Sequence, residues 1–244
     1  MGSFEPAEIE VLLHEAYVAA EGTSLRDEER KKAVEIAALL GELARARRLG
    51  HLVDAAAGKA YVGVLAARLL GYGKVTVIER EAGRVHSSRE AARRLGVQGR
   101  VEVVQGDVGD RGSWPGSFDL AAALHACGPA SDAVIDAVVG SEARWLLLVP
   151  CCYGAAVPFA AAAGSRADSL GMARHAEVRR RLVAGLVDAE RTLRLEAAGW
   201  QTTVAAFVPP TVTPHNLLWR ARRSREPGRM ARAQQALERL RQGG

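Results

Sequence analysis

From residue 51 to residue 149, short β-branched or apolar runs alternate with stretches rich in Ala, Leu and Arg, one pair about every 25 residues. An alternation of that length predicts βαβ units, and so a parallel sheet covered on both faces by helices. Five central strands are expected at His51 to Val53, Val75 to Ile78, Val101 to Val104, Leu120 to Leu124 and Leu146 to Val149. Helices are expected between them at Tyr61 to Leu70, Arg84 to Leu95 and Ser131 to Val139, with a short irregular crossing after Asp110. A long helix from Ala173 to Ala198 follows, then two segments of strand composition, Gln201 to Val208 and Asn216 to Arg223, separated by a Pro-rich bend. The fold class is α/β: a Rossmann-like, doubly wound, seven-stranded and mostly parallel sheet.

The flanking segments have helical periodicity. Ile9, Leu12, Leu13, Ala16 and Tyr17 share one stripe, and Ala33, Ile36, Ala37, Leu40 and Leu43 a second, with a break at Gly22 to Ser24. Met230, Ala233, Leu237 and Leu240 mark a final basic amphipathic helix within Arg225 to Gln242. The run Ala160 to Ala163 reads either as a cover over the site or as a plain helix start. The expected organisation is an N-terminal helical extension (1–48), a sheet domain (49–223) and a basic C-terminal helix (224–244).

A fold of 244 residues buries about three-quarters of its unfolded surface and needs no disulfide or structural metal to hold it. An apolar content of 48% with 25% charged residues excludes disorder as the main state, and three cysteines are too few for a secreted disulfide framework. Two uncharged runs approach membrane length, but Pro150, Gly154 and Pro158 break one and Pro209, Pro210 and Pro214 the other, so no membrane partner is expected. The N-terminal region lacks a basic segment followed by an apolar core, which makes a cytoplasmic location the expectation. Charge is uneven: from Arg166 onward 15 arginines, no lysine and 7 acids give +8, leaving −3 for the rest of the net +5. Such an excess can attract nucleic acid, although solvated helix faces give the same count.

Candidate chemistry gathers where the strands end. The first strand runs into Asp54-Ala55-Ala56-Ala57-Gly58-Lys59-Ala60-Tyr61 and feeds directly into a helix, the context of a nucleotide-binding turn, with a plain strand-to-helix turn as the alternative. The second ends at Glu79, an acid suited to accept from ribose hydroxyls. The third ends at Gly106-Asp107-Val108, where a carboxylate can accept from an adenine amino group while Val108 frames the ring. The fourth and fifth end in Leu124-His125-Ala126-Cys127-Gly128 and Pro150-Cys151-Cys152-Tyr153-Gly154, which hold all three cysteines. Neighbouring strands would crowd these groups at the carboxyl edge, where open α/β sheets bind ligands.

Asp-x-x-x-Gly-Lys-x-Tyr, Leu-His-x-Cys-Gly and Pro-Cys-Cys-Tyr together resemble the motifs of class I S-adenosylmethionine-dependent methyltransferases, specifically the group that includes tRNA ribose 2′-O-methyltransferases with a His-x-Cys-Gly element. Animal methyltransferase-like proteins and the glutathione S-transferase C-terminal-domain-containing protein fall in the same group. Arg30-Lys31-Lys32 and Thr213-Pro214-His215-Asn216-Leu217-Leu218 resemble family segments as well. The resemblance implies a sheet whose last strand is inserted antiparallel, and S-adenosyl-L-methionine as methyl donor. It places Asp54, Ala56, Gly58, Lys59 and Ala60 around the donor's amino-acid part, Glu79 at the ribose, and Asp107 and Val108 at the adenine. His125, Cys127, Cys152 and Tyr153 would face the acceptor. The family commonly has glycine where this chain has Ala56 and Ala60, and histidine where it has Gly154.

Methyl transfer from a sulfonium is an in-line displacement, helped by a general base when the acceptor must lose a proton. His125 is the expected base or orienting group, against a buried histidine bonded to backbone. The cysteines read as small core residues ahead of thiol nucleophiles or zinc ligands with His125; adjacent Cys151 and Cys152 on a continuing strand would point to opposite sides, so no metal is expected. The acceptor is expected to be RNA, through the Arg-rich C-terminal third including Arg179-Arg180-Arg181 and Arg220 to Arg225. A small metabolite or peptide acceptor, and a donor-binding protein without activity, stay open. A nicotinamide-dependent oxidoreductase would share the first two strand ends, but no lysine follows Lys74 to complete a Tyr-x-x-x-Lys pair. Oligomeric state is not legible.

Overall fold

The computed structural model describes residues 4–18, 24–46 and 50–242. Most of the expected break at Gly22 to Ser24, and the expected boundary near residue 48, lie outside the described residues. Seven strands form one sheet: β1 (His51–Ala55), β2 (Lys74–Glu79), β3 (Val101–Gln105), β4 (Leu120–Ala126), β5 (Trp145–Pro150), β6 (Trp200–Ala206) and β7 (Leu217–Arg223). Their order is β3-β2-β1-β4-β5-β7-β6, with β7 antiparallel to both β5 and β6 and the other pairings parallel. The order reverses between β1 and β4, so the crevice above their carboxyl ends is the switch point where such sheets take ligands.

Alternation along the strands sorts the core into two layers. Leu52, Val75, Val77, Leu120, Ala122 and Leu147 face α1 (Pro6–Leu13), α2 (Asp27–Arg45), α3 (Tyr61–Leu69) and α4 (Ala82–Arg94). Val53, Ala55, Ile78, Ala121, Ala123 and Leu148 face α5 (Ala130–Val139) and Leu195 of α7 (Glu177–Ala197), with Trp200 and Trp219 closing that layer. The N-terminal helices thus share the first layer with the sheet. A π-helical turn, His14–Val18, continues α1, and Tyr17 packs edge-on against Tyr61 with ring centroids 4.7 Å apart.

The region after β5 differs from expectation. Instead of one helix from Ala173 to Ala198, α6 (Ala160–Ser169) precedes α7, which begins at Glu177. Gly171, at φ +72°, accepts the left-handed backbone just past α6 that ends the first helix. The alanine run is therefore a helix start; Ala163 packs with Val157 and Val187 into a small apolar cluster beside the carboxyl edge. The chain closes with α8 (Pro227–Gln242).

Candidate functional site

Asp54 ends up inside the protein because α3 lies almost on top of β1. Its side chain is 1% exposed, and Oδ2 accepts the Gly63 N–H at 2.7 Å. A Cβ at residue 63 would stand 3.0 Å from both Asp54 Cβ and Oδ2, so any larger residue would push α3 or Asp54 aside by a few tenths of an ångström, and glycine lets the two lie this close. Sequence reading passed over Gly63; an isolated glycine inside a helical stretch was the signal. Burial raises the Asp54 carboxyl to about 7, opposed by the Gly63 N–H and reinforced by the nearby charge of Glu79.

The turn from β1 to α3 uses left-handed backbone at Ala56, Gly58 and Ala60 (φ +52°, +59° and +56°). No side chain caps α3, and the space where a Gly58 Cβ would stand is open to 4 Å. The Gly58 N–H donates to Glu79 Oε2 at 2.8 Å and the Glu81 N–H to Oε1 at 2.9 Å, so one carboxylate, 5% exposed, joins the first two strand ends. Gly106 N–H donates to the Glu79 carbonyl, holding the third end in step. There Asp107 is half exposed, accepting from Gly109 N–H at 2.7 Å, with Arg80 at 3.9 Å. Val108 is buried, and its carbonyl accepts from Trp114 Nε1. A groove of about 580 Å³ runs beside Val108, walled by Pro129, Ala133 and Pro158. The Lys59 carbonyl accepts from the Tyr17 hydroxyl at 2.8 Å, so the N-terminal segment braces this turn.

His125 sits at a break in register between β4 and β5, between Leu124 and Ala126, with φ +60°. A bulge of this kind re-aims one side chain out of the strand alternation. Its Nε2 lies 3.1 and 3.0 Å from the two carboxylate oxygens of Glu35 on α2. Glu35 also pairs with Lys32; these two partners outweigh burial and hold its carboxyl below the usual range. The ring of His215 stands edge-on to His125 at 6.4 Å, and burial, with the neighbouring imidazole, holds it below the ordinary histidine value. The alternative of a histidine bonded only to backbone does not hold, since Glu35 is a side-chain partner. Glu35 was missed by sequence reading, because an acid beside an apolar helical stripe looks like any solvated one.

β5 ends at Pro150, so Cys151 and Cys152 leave the strand rather than continue it. Cys127 and Cys152 are exposed, Cys151 is half-buried, and the three sulfurs all lie within 4.8 Å of one another. This corrects the core-filling expectation. Burial and the neighbouring thiols push the Cys151 thiol far up, and its hydrogen bond with Cys152 raises Cys127. Tyr153 does not join His125. Its hydroxyl donates to Asp188 Oδ2 on α7 at 3.0 Å, and the Arg191 guanidinium lies 5.5 Å from its ring centre. Burial raises Asp188 to about 6.

The expected basic surface is largely paired within the chain. Arg179 pairs with Asp168, Arg180 and Arg181 share Glu177, and Arg220 makes a two-point pair with Glu42. Arg225 pairs with Glu142, and Arg223 donates to three carbonyls at the end of α5 and just beyond it. Because Arg222 stands opposite Trp145, the first residue of β5, Arg222 to Arg225 occupy the amino edge of the sheet, away from the switch point.

A parallel sheet closed by an inserted antiparallel strand, with acids at its first three strand ends, has the fold of S-adenosylmethionine-dependent methyltransferases. The family model of a methyltransferase domain matches residues 29–156, from the start of α2 through the cysteine loop, and the chain belongs to that family. Among curated relatives, it is 31% identical over 104 residues to the glutathione S-transferase C-terminal domain-containing protein of Mus musculus, covering 43% of this chain and 16% of the relative. The Drosophila melanogaster homolog is 24% identical over 193 residues, covering 69% and 32%. The chain thus spans a third or less of these relatives. Among solved structures, the SAH-bound methyltransferase of Podospora anserina superposes with a TM-score of 0.52 at 16% identity, over 90% of this chain and 87% of that one. No helix among the described residues is long and apolar enough to cross a membrane.

Proposed function

We propose that the chain transfers a methyl group from S-adenosyl-L-methionine to a compact acceptor that loses a proton to His125. One observation carries this reading: a strained, bulged histidine, bonded to a buried carboxylate, stands at the switch point beside strand ends already joined through Glu79. Strain held in place by surrounding structure is a mark of functional positions. The residues fit the donor: an uncapped helix N-terminus and open Gly58 can take a carboxylate, and each Glu79 oxygen, already accepting one backbone N–H, keeps a second lone pair for a ribose hydroxyl.

The donor supplies an electrophilic methyl group on a sulfonium. Ala56, Gly58 and Lys59 would hold its amino-acid part on the open side of the turn, with buried Asp54 and Ala60 supporting that turn from beneath, Glu79 would hold the ribose, and Asp107 with Val108 the adenine. His125 orients the acceptor and takes its proton, and anionic Glu35 fixes the imidazole and stabilises its charged form. Cys127 and Cys152 line the acceptor side, while Tyr153 shapes it through α7. The helical extension (1–48) belongs functionally to the domain (49–223) because it supplies Glu35; the basic helix (224–244) stands apart from the chemistry.

A compact metabolite or peptide fits better than RNA, the acceptor expected from the tRNA-methyltransferase resemblance. The arginines that suggested RNA have internal partners or lie on the far edge. Calorimetry with S-adenosylmethionine should show binding that Glu79→Ala weakens at least tenfold. His125→Ala should lower turnover by about 100-fold or more with donor affinity within about twofold of the unsubstituted chain. Absence of donor binding sinks the reading. Labelled methyl appearing in RNA, with an affinity that falls steeply with salt, would move the acceptor to RNA.

A further inference from the structure

We infer that Cys127, Cys151 and Cys152 form a three-thiolate site for one zinc ion, with its fourth position open to the acceptor side. The sulfurs come from two neighbouring strand ends: Cys127 just past β4, Cys151 and Cys152 just past β5. Cys151 and Cys152 Sγ are 3.6 Å apart, Cys127 and Cys152 Sγ 2.6 Å, and all three within 4.8 Å. Tetrahedral zinc with bonds of about 2.3 Å holds its sulfurs about 3.8 Å apart; the Cys151–Cys152 pair already stands near that spacing, and Cys127 and Cys152 would have to part by about 1 Å to reach it. Cysteine side chains reach it by small rotations.

At 2.6 Å the Cys127 and Cys152 sulfurs stand well inside van der Waals separation, so they are not packed as two independent thiols; the distance lies between the roughly 2.05 Å of a covalent bridge and the roughly 3.8 Å of zinc ligands. What favours a cation is the number of thiols: a disulfide would leave the third without a role, whereas one metal ion engages all three. Other donors nearby are committed: His125 Nε2 to Glu35 and the Tyr153 hydroxyl to Asp188. The set is therefore purely sulfur, which selects a soft or borderline ion over magnesium or calcium. Three protein ligands with exposed Cys127 and Cys152 leave one position for water or an acceptor atom, the pattern of a zinc site that participates in chemistry. Binding is balanced as three thiols and Zn²⁺ giving a zinc tris-thiolate of net charge −1 and three protons released to water. The ion would bind whether or not the methyl donor is present, so this inference and the donor reading fail independently.

The test uses the full chain, reduced and kept free of oxygen, titrated with Co²⁺ and then Zn²⁺. One equivalent of Co²⁺ should produce a sulfur-to-cobalt charge-transfer band, and one equivalent of Zn²⁺ should abolish it. Cys127→Ser, Cys151→Ser and Cys152→Ser should each weaken Zn²⁺ binding at least tenfold, with circular dichroism confirming that each variant is folded. Should a variant fail to fold, alkylation of the unsubstituted chain decides: Zn²⁺ should protect all three thiols. A cobalt spectrum without the sulfur band, a band that the substitutions leave intact, or thiols that react equally with and without Zn²⁺ overturns the site. A Cys127–Cys152 disulfide persisting under reductant does so too.

Discussion

The two alanines of the donor turn differ in what their methyl groups do. Both Ala56 and Ala60 adopt left-handed backbone, which costs an L-residue roughly 1–2 kcal/mol over glycine. Glycine in turn costs roughly 0.5–1 kcal/mol through the entropy of the unfolded chain. Ala56 is only partly buried, so Ala56→Gly should gain about 0.5–1 kcal/mol in urea unfolding. Ala60 is fully buried among apolar neighbours, and losing its methyl costs about 0.8 kcal/mol more. Ala60→Gly should therefore leave stability within about 0.5 kcal/mol of the unsubstituted chain. A clear gain at position 60 would mean its methyl contributes nothing to packing. The turn's position was legible from the strand-to-helix context, but not its strain, which depends on φ angles that an Ala-rich run does not disclose.

At the scale of elements, the strands and their βαβ alternation followed from periodicity and spacing and the antiparallel last strand from the family resemblance, while the charges held between elements followed from neither. α2 displays its apolar stripe in sequence, yet it also presents Glu35 to His125 and Glu42 to Arg220. Sequence distances of 90 and 178 residues separate these partners, and no local pattern joins them. Arg191 counts as surface charge in an Arg-rich helix but is 0% exposed. It pairs with Asp132 on α5 at 2.7 Å, and Arg194 contacts the same carboxylate and Asp136. Glu190 extends the cluster to Arg241 on α8, so three helices are clamped by charge on one face of the sheet. Truncating one partner of such a pair leaves the other poorly compensated. Arg191→Ala should lower stability by about 3–5 kcal/mol and release Tyr153 from its cation. Arg180→Ala, on a solvated pair, should change stability by less than about 1 kcal/mol. Equal effects in urea titrations would show that Arg191 is not buried in solution.

For the molecule as a whole, buried acids set how stability follows pH. Asp54 and Asp188 are raised from 3.8 to about 7 and about 6, both chiefly by burial. Above pH 3.8 the unfolded chain loses these protons first, so stability falls as pH rises and levels off only once the folded groups have ionised. Glu35 and Glu42 are lowered, by His125 with Lys32 and by Arg220 with Arg45, against the opposing effect of burial. Their contribution is complete above about 4.5 and is lost as pH drops through their folded values. The two trends cross in mildly acidic solution, so the melting temperature should be higher at pH 5 than at pH 8 and fall again below about 4. The Asp54 shift alone has an upper bound on the order of 4 kcal/mol. Asp54→Asn retains an acceptor for the Gly63 N–H and should remove most of the loss between pH 5 and 8. Bound donor should reduce that loss too, because its ammonium and sulfonium charges favour ionised Asp54; donor affinity should accordingly rise with pH through about 7 and be nearly flat in Asp54→Asn. A melting temperature that climbs steadily from pH 5 to 8 would place Asp54 in contact with water, and with it the close packing of α3 on β1 that Gly63 permits.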